Sequence, residues 1–500
     1  MNVILVIFDS LRKDCLDFLG QPPWGKVHTP NLARFAEESI VLTRCYPESL
    51  PTLQVRRSIY TGKRVYPFYG EKPYKDGFIG APGWGPIKED MVTISEILKL
   101  EGYTTAIISD IQHQFKPSMN FHRGFDEWNW IRGYESDNYR SGPKPTKEEI
   151  NYWIPQKLKG SINDEELMVK IINNIKKFLM NMQYIKEEKD YSVAKVMLEA
   201  ARWLEQNQDV ENSFLIVESW SPHEPWFVPT NYREMYTNGK SLPQQVTTFY
   251  CDLPDISEEI MLSTRANYSG LVTMCDKWFG YLYKTIKNLG MLENTLIVVT
   301  TDHGHSIGDK NYFGKRGYPS SPEVYDVPII IRHPNNSFGR GIKNNMLVQH
   351  TDITATILDM LKIEPKGIDY DSWNTFSRSD CYKDILNPVE MDGRSFLPDI
   401  LDNKSKFRDH VTVGWGSAVT VITDEWWLNC RINGKGSFLY KLNTDASFSK
   451  NLADTYPNVV KKLFLKAIED AGGSFPEYLI EMADNEVDIP GCSQLVALDG

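Results

Sequence analysis

Six consecutive apolar residues, Val3-Ile4-Leu5-Val6-Ile7-Phe8, stop at Asp9. The run has no polar alternation, so neither of its faces is built to meet water. A short continuous run of this kind describes a strand buried on both faces of a parallel sheet. Similar runs occur at Thr105 to Ile108, Phe214 to Val217, Leu296 to Val299 and Val327 to Ile331. Helical patterns lie between them, at Asn31 to Glu38, Val92 to Glu101, Val193 to Gln206 and Val272 to Leu289. Strands alternating with helices predict an α/β fold, a large and mostly parallel sheet sandwiched by helices. Ligands of such sheets bind outside the carboxyl ends of the strands, where Asp9 stands.

The texture changes near residue 400. His410 to Ile422 and Trp426 to Ile432 read as antiparallel strands, and Asn433-Gly434-Lys435-Gly436 reads as a hairpin turn before Ser437 to Leu442. Val459 to Ala471 reads as a closing helix with Gly472-Gly473 beyond it. A chain of 500 residues is long for one typical domain. The expected division is a catalytic α/β domain over 1–400 and a small α+β domain with a tail over 401–500. Residues 131–190 are polar and helix-prone and read as an insertion, a candidate lid.

The formal net charge of -11 argues against a nucleic-acid polymer as partner, because such binders need a basic face. Seven widely spaced cysteines without a CxxC pair argue against a disulfide framework or a zinc knuckle. The apolar start lacks a basic lead and a small-residue cleavage site, and no window reaches the length of a membrane span. A cytoplasmic protein with no membrane partner is the expectation, with homo-oligomerisation left open.

The segment Ser49-Leu50-Pro51-Thr52-Leu53-Gln54-Val55-Arg56 runs on to Thr61-Gly62. It resembles the nucleophile motif of the sulfatase family of the alkaline phosphatase superfamily, in which Cys or Ser is followed by x-Pro-x-Arg and later by Thr-Gly. The register puts Thr52 in the nucleophile position and Arg56 in that of the motif arginine. Sulfatases oxidise Cys or Ser to formylglycine. Thr52 is neither, and Gln54 replaces the proline, so no formylglycine is expected. The plainer reading of Thr52 is a helix N-cap; a nucleophile at a helix N-terminus would also face an anion-binding end.

Thr300-Thr301-Asp302-His303-Gly304-His305 follows the Leu296 to Val299 run and resembles the family's metal motif. Gly308-Asp309, Phe313-Gly314-Lys315 and Val327-Pro328-Ile329-Ile330 come after it in the family's order. Phe8-Asp9-Ser10 resembles the opening of many members, which usually carry two adjacent Asp residues. The resemblance implies one divalent metal held by Asp9, Thr52, Asp302 and His303, with Ser10 a weak ligand or a turn residue. One imidazole among fewer carboxylates favours manganese or zinc, with calcium the less favoured ion. Ser221-Pro222-His223-Glu224-Pro225 resembles the family's Pro-His-x-Pro segment, whose His can protonate the leaving group. Lys315 matches the lysine after the metal motif and would hold a substrate oxygen together with Arg56. Where the family usually reads Gly-Lys-x-His, this chain has Ser109-Asp110-Ile111-Gln112-His113, which makes His113 a substrate-side candidate and leaves the lysine missing. His28, His122, His333, His350 and His410 are expected to be structural. Thr351 to Leu358 and Asp392-Gly393-Arg394-Ser395 resemble late landmarks of the family.

The resemblance implies an alkaline phosphatase-like hydrolase acting on a small anionic ester. Thr52 and His303 favour a phosphodiesterase or phosphonate monoester hydrolase working through a covalent Thr intermediate. The alternatives are a sulfatase without formylglycine and a catalytically silent binding protein.

Overall fold

The computed structural model describes residues 1–71, 81–116, 119–153, 165–242, 250–252, 257–334, 339–368, 386–445 and 447–486. Eight strands form the main sheet: β1 (Asn2–Phe8), β2 (Ile40–Tyr46), β3 (Thr104–Ser109), β4 (Glu127–Trp130), β5 (Ser213–Ser219), β6 (Thr295–Thr301), β7 (Val327–Arg332) and β8 (Ile342–Gln349). Their order is β8-β2-β7-β6-β1-β5-β3-β4. Every neighbouring pair is parallel except those of β7, which runs antiparallel to both β2 and β6. The sheet is therefore mixed and mostly parallel, as the apolar runs led us to expect.

All seven residues of β1 are buried. Val3, Leu5 and Ile7 face one apolar layer, shared with Leu53, Val55 and Ile59 of the helix Thr52–Thr61. Ile4, Val6 and Phe8 face the other, shared with Val196 and Met197 of the helix Ser192–Gln206 and Leu271 and Met274 of the helix Glu258–Asn288. Alternate side chains of one strand thus enter two cores. Each contributes roughly 1.5–3 kcal/mol on leaving water.

The helix Thr52–Thr61 is buried along its whole length, so its polar residues all need partners. Arg57 meets Glu71 at 2.9 Å, Gln54 donates to the Pro82 carbonyl at 2.9 Å and Ser58 donates to Glu48 at 3.1 Å. Gly62 ends it in the left-handed conformation, φ 64°. The Gly62 carbonyl accepts the N–H groups of Asp392 and Gly393, each at 3.0 Å. A Cβ on Gly393 would lie 2.0 Å from the Thr351 carbonyl oxygen, so only glycine fits there. The Asp392-Gly393 landmark therefore clasps the far end of this helix.

Past residue 400 lies a four-stranded antiparallel sheet, β9 (His410–Trp415), β10 (Ala418–Thr423), β11 (Trp426–Arg431) and β12 (Phe438–Lys441). The run His410 to Ile422 is two strands, because the chain turns at Gly416, φ 56°, and sets Trp415 opposite Ala418. Val411, Val413 and Trp427 join the first core of the main sheet, whereas Val419, Val421 and Leu428 pack under the helices Pro457–Asp470 and Glu477–Asp484. Within 131–190 stand the helices Lys147–Trp153 and Glu165–Met182. Residues 154–164 of that segment, residues 487–500 of the tail, Cys381 and Cys492 lie outside the described residues. Cys15, Cys45, Cys275 and Cys430 are free and buried. No helix among the described residues is long and apolar enough to cross a membrane.

Candidate active site

β1 and β6 are adjacent and parallel, so their carboxyl ends coincide and bring Asp9 beside Asp302. The ligand atoms of Asp9, Asp302 and His303 all lie within 4.8 Å of one another, and all three residues are buried. Ser10 orients the pair. Its N–H donates to Asp302 Oδ1 at 3.0 Å and its hydroxyl donates to Asp9 Oδ1 at 2.8 Å. Ser10 does this from a left-handed backbone, φ 60°.

This donor set fits a divalent cation. His303 Nδ1 lies 2.9 Å from the Gly304 carbonyl, which can only accept, so the proton sits on Nδ1 and Nε2 keeps its lone pair for the site. Burial holds the imidazole down at about 3 although Asp302 pulls it up, so it is neutral, the form that ligates. Burial and the adjacent Asp302 charge push Asp9 well above the ordinary carboxylate range, while Arg56 and Lys315 pull it down. Asp9 Oδ2 is buried and accepts no hydrogen bond. Two buried carboxylates side by side are what a dication between them would relieve.

Thr52 is the first residue of its helix, and Pro51 is the cap residue. Thr52 therefore does not occupy the cap position, and its hydroxyl lies 3.5 Å from His303 Nε2. The simple capping role is thereby excluded. One turn on, Arg56 is fully buried, and its guanidinium lies 2.6 Å from Asp302, 3.2 Å from Asp9 and 3.5 Å from Glu218. The sequence reading put Arg56 on substrate oxygens. In the structure its charge lies against three carboxylates, with one nitrogen also on the Thr52 carbonyl at 3.1 Å. Burial opposes that charge, but Asp302, Glu218 and Asp9 more than hold it in place.

His223 and Lys315 meet on the other side of Ser10. Lys315 Nζ is 2.7 Å from His223 Nε2 and 3.5 Å from the Ser10 hydroxyl. His223 Nδ1 is 2.7 Å from the Glu224 carbonyl, so Nδ1 carries the proton and Nε2 accepts from the lysine. Burial holds His223 down at about 3, with Lys315 adding to the effect and Glu224 opposing it. Tyr134, from the 131–190 segment, fastens this loop by donating to the His223 and Pro225 carbonyls at 3.1 and 3.0 Å. His113 stands one layer back. Its ring is 5.3 Å from Trp220, which in turn lies 4.1 Å from the His223 ring. Asp110 accepts the Trp220 N–H at 2.6 Å, and burial raises it to about 6. His350, expected to be structural, lies 2.8 Å from the Thr301 carbonyl through Nε2.

Sequence reasoning missed three residues. The Glu224 carboxylate lies 3.3 Å from both His223 Nδ1 and His305 Nε2 and 3.9 Å from Lys315. Glu218 is buried at the end of β5, touching Arg56, Tyr60 and Ser109. The available signals were an acid closing an apolar strand, for Glu218, and the second histidine of the Thr300 to His305 segment.

The sulfatase family model matches residues 1–363 of the chain. An ulvan-active sulfatase from Formosa agariphila is 25% identical over 374 residues, covering 74% of this chain and 63% of that protein. The phosphonate monoester hydrolase of Agrobacterium radiobacter has the same fold with a TM-score of 0.65 at 18% identity, covering 97% of this chain and 96% of the other. A structure of a protein in complex with its substrate D-glucosamine-2-N,6-O-disulfate superposes with a TM-score of 0.65 at 17% identity, over 94% of this chain and 97% of that one. With the family match spanning most of the chain, and Asp9, Asp302 and His303 meeting at one point, the chain belongs to the sulfatase family.

Proposed function

We propose that this protein hydrolyses phosphodiesters or phosphonate monoesters through a covalent ester on Thr52. The observation that carries the reading is the Thr52 hydroxyl, at the first position of a helix capped by Pro51 and 3.5 Å from His303 Nε2. A divalent cation held by Asp9, Asp302 and His303 would supply Lewis-acid activation of a hydroxyl and of a substrate oxygen. Manganese or zinc is favoured because one of the three ligands is an imidazole. A Thr ester cannot collapse to an aldehyde as formylglycine does, so water must attack the intermediate, a route suited to phosphoryl transfer.

The proton for the leaving oxygen is assigned to Lys315 rather than to His223. His223 already donates its one proton to a carbonyl, whereas Lys315 is buried with its ammonium aimed at Nε2. His223 then holds the lysine in line. Arg56 keeps Asp9 and Asp302 in place from below, and His113 backs the His223 loop through Trp220.

The experiment is a panel of nitrophenyl sulfate, phosphate, phosphodiester and phosphonate esters, assayed with manganese, zinc and calcium. The expected result is faster turnover of the phosphodiester or phosphonate. Faster turnover of the sulfate than of every phosphoryl ester would establish a sulfatase without formylglycine. The ulvan-active relative gives that second reading its support.

A further inference from the structure

A cavity of about 660 Å³ opens at the far end of the helix Thr52–Thr61, beside Arg64. That helix has ten residues, so this space lies about 15 Å along its axis from Thr52. The walls carry Arg64, Arg394, Lys406, Arg408, His410 and Lys466. Four acids also line it, Asp392, Asp409, Glu469 and Asp470.

The pairing among these groups is uneven. Lys406 is matched by Asp409, Arg408 by Asp352 at 2.8 Å, and His410 by Asp470 at 3.2 Å. Asp392 accepts the Arg64 N–H at 2.7 Å. Arg394 and Lys466 make no ion pair with a carboxylate among the described residues. The Arg394 side chain donates to the Phe407 carbonyl, and Lys466 lies 3.4 Å from His410 and near enough to Asp409 to help Lys406 hold that carboxyl down. Arg64 has only distant ion pairs, 3.6 Å to Glu48 and 3.8 Å to Asp470. Its Nε and Nη2 are buried and find no hydrogen-bond acceptor. Arg64, Arg394 and Lys466 therefore face one cavity without a close carboxylate partner, while of the lining acids Asp392 and Glu469 make no ion pair among the described residues. Buried guanidinium nitrogens without acceptors are costly unless a ligand supplies the oxygens, and a guanidinium fork matches the oxygens of sulfate and phosphate.

We infer that this cavity is a second anion site, which binds a sulfate or phosphate group through Arg64, Arg394 and Lys466. Its volume exceeds what one oxyanion needs and falls in the range of pockets for sugar-sized ligands. The anion is either a free oxyanion or one carried by a larger ligand. The site does not depend on the chemistry at Thr52.

The test titrates inorganic sulfate and inorganic phosphate by calorimetry into the wild-type protein and into Arg394→Gln/Lys466→Gln, with ionic strength held constant by chloride. Both substitutions remove charge at positions away from the Thr52 site. The expected result is one binding event fewer in the variant, with hydrolysis of nitrophenyl esters unchanged. A multiply sulfated oligosaccharide, titrated into the same two proteins, identifies the source. Binding weakened about tenfold or more in the variant assigns the site to an anion on a larger ligand; binding unchanged assigns it to a free oxyanion. Identical oxyanion titrations of the wild type and of a variant whose circular dichroism is native would overturn the inference.

Discussion

Arg56→Gln removes a cation that lies against Asp9, Asp302 and Glu218 together, all of them fully buried and within 3.5 Å of its guanidinium. Three carboxylates cannot share that volume uncompensated. Breaking a buried pair by deleting one partner costs about 3–5 kcal/mol, and here one deletion strands three groups. Metal-free Arg56→Gln should therefore lose at least this order of stability. A dication restores positive charge beside Asp9 and Asp302, and a ligand at about a hundred times its Kd stabilises by about 2.7 kcal/mol. Manganese should thus stabilise the variant more than it stabilises the wild type. Arg56→Lys should fall between the two, because a single ammonium cannot reach all three acids. The assay is urea unfolding followed by tryptophan fluorescence, in chelator and in manganese. A metal-free Arg56→Gln protein within about 1 kcal/mol of wild type, the value of an exposed pair, would refute this account of Arg56.

Thr52→Ala should lower turnover by roughly a thousandfold or more, with residual direct attack by water, and single-turnover kinetics would detect the missing intermediate. Near-normal rates would remove Thr52 from the chemistry. Asp302→Ala should lose bound metal and activity together, read by atomic emission on dialysed protein; full metal occupancy in a folded variant would exclude Asp302 from the site. Lys315→Met should slow esters with poor alkyl leaving groups by roughly 10²–10⁴-fold while sparing nitrophenyl esters, and equal losses on both would deny Lys315 the role of proton donor. Asp470 is pushed up by burial, but His410, Arg64 and Thr412 together hold it at about 2. The charged form is therefore favoured by folding, and its contribution of roughly 2 kcal/mol is present above about pH 4 and is lost as the pH falls toward 2. Asp470→Asn should flatten that limb of the stability curve, and an unchanged acid limb would show that the ion pair contributes nothing.

The sequence carried the main sheet wherever strands are buried on both faces, as in β1, β5, β6 and β7. It failed at β4 and β8, whose exposed positions break the apolar run, and at β2, where Thr43 and Arg44 do the same. The antiparallel sense of β7 left no trace, because an apolar run reads alike in both directions. The helix Glu258–Asn288 was legible only from Val272 onward. Its earlier turns bury Ser263, Asn267, Ser269 and Gly270, and small polar residues resemble a loop until packing explains them. Gly270 is one such case, since a Cβ there would lie 3.0 Å from the Tyr232 backbone. At the site, Asp9, Thr52 and Asp302 were legible because strand ends and motif spacing fix them locally. Glu224 with His305, and Glu218 with Arg56, meet only through the sheet order, which no local pattern encodes.

The clasp at Gly62 bears on the opposite end of its helix. A rod held at one end pivots, and its free tip sweeps an arc; a rod held at both ends does not. Arg56 fastens the Thr52 end to the carboxylates, and the Asp392 and Gly393 N–H groups fasten the Gly62 end. Thr52 is thus fixed in direction, which under the proposed mechanism leaves little motion to freeze during reaction. Two residues more than three hundred positions downstream serve as the rear mount of the helix that carries Thr52.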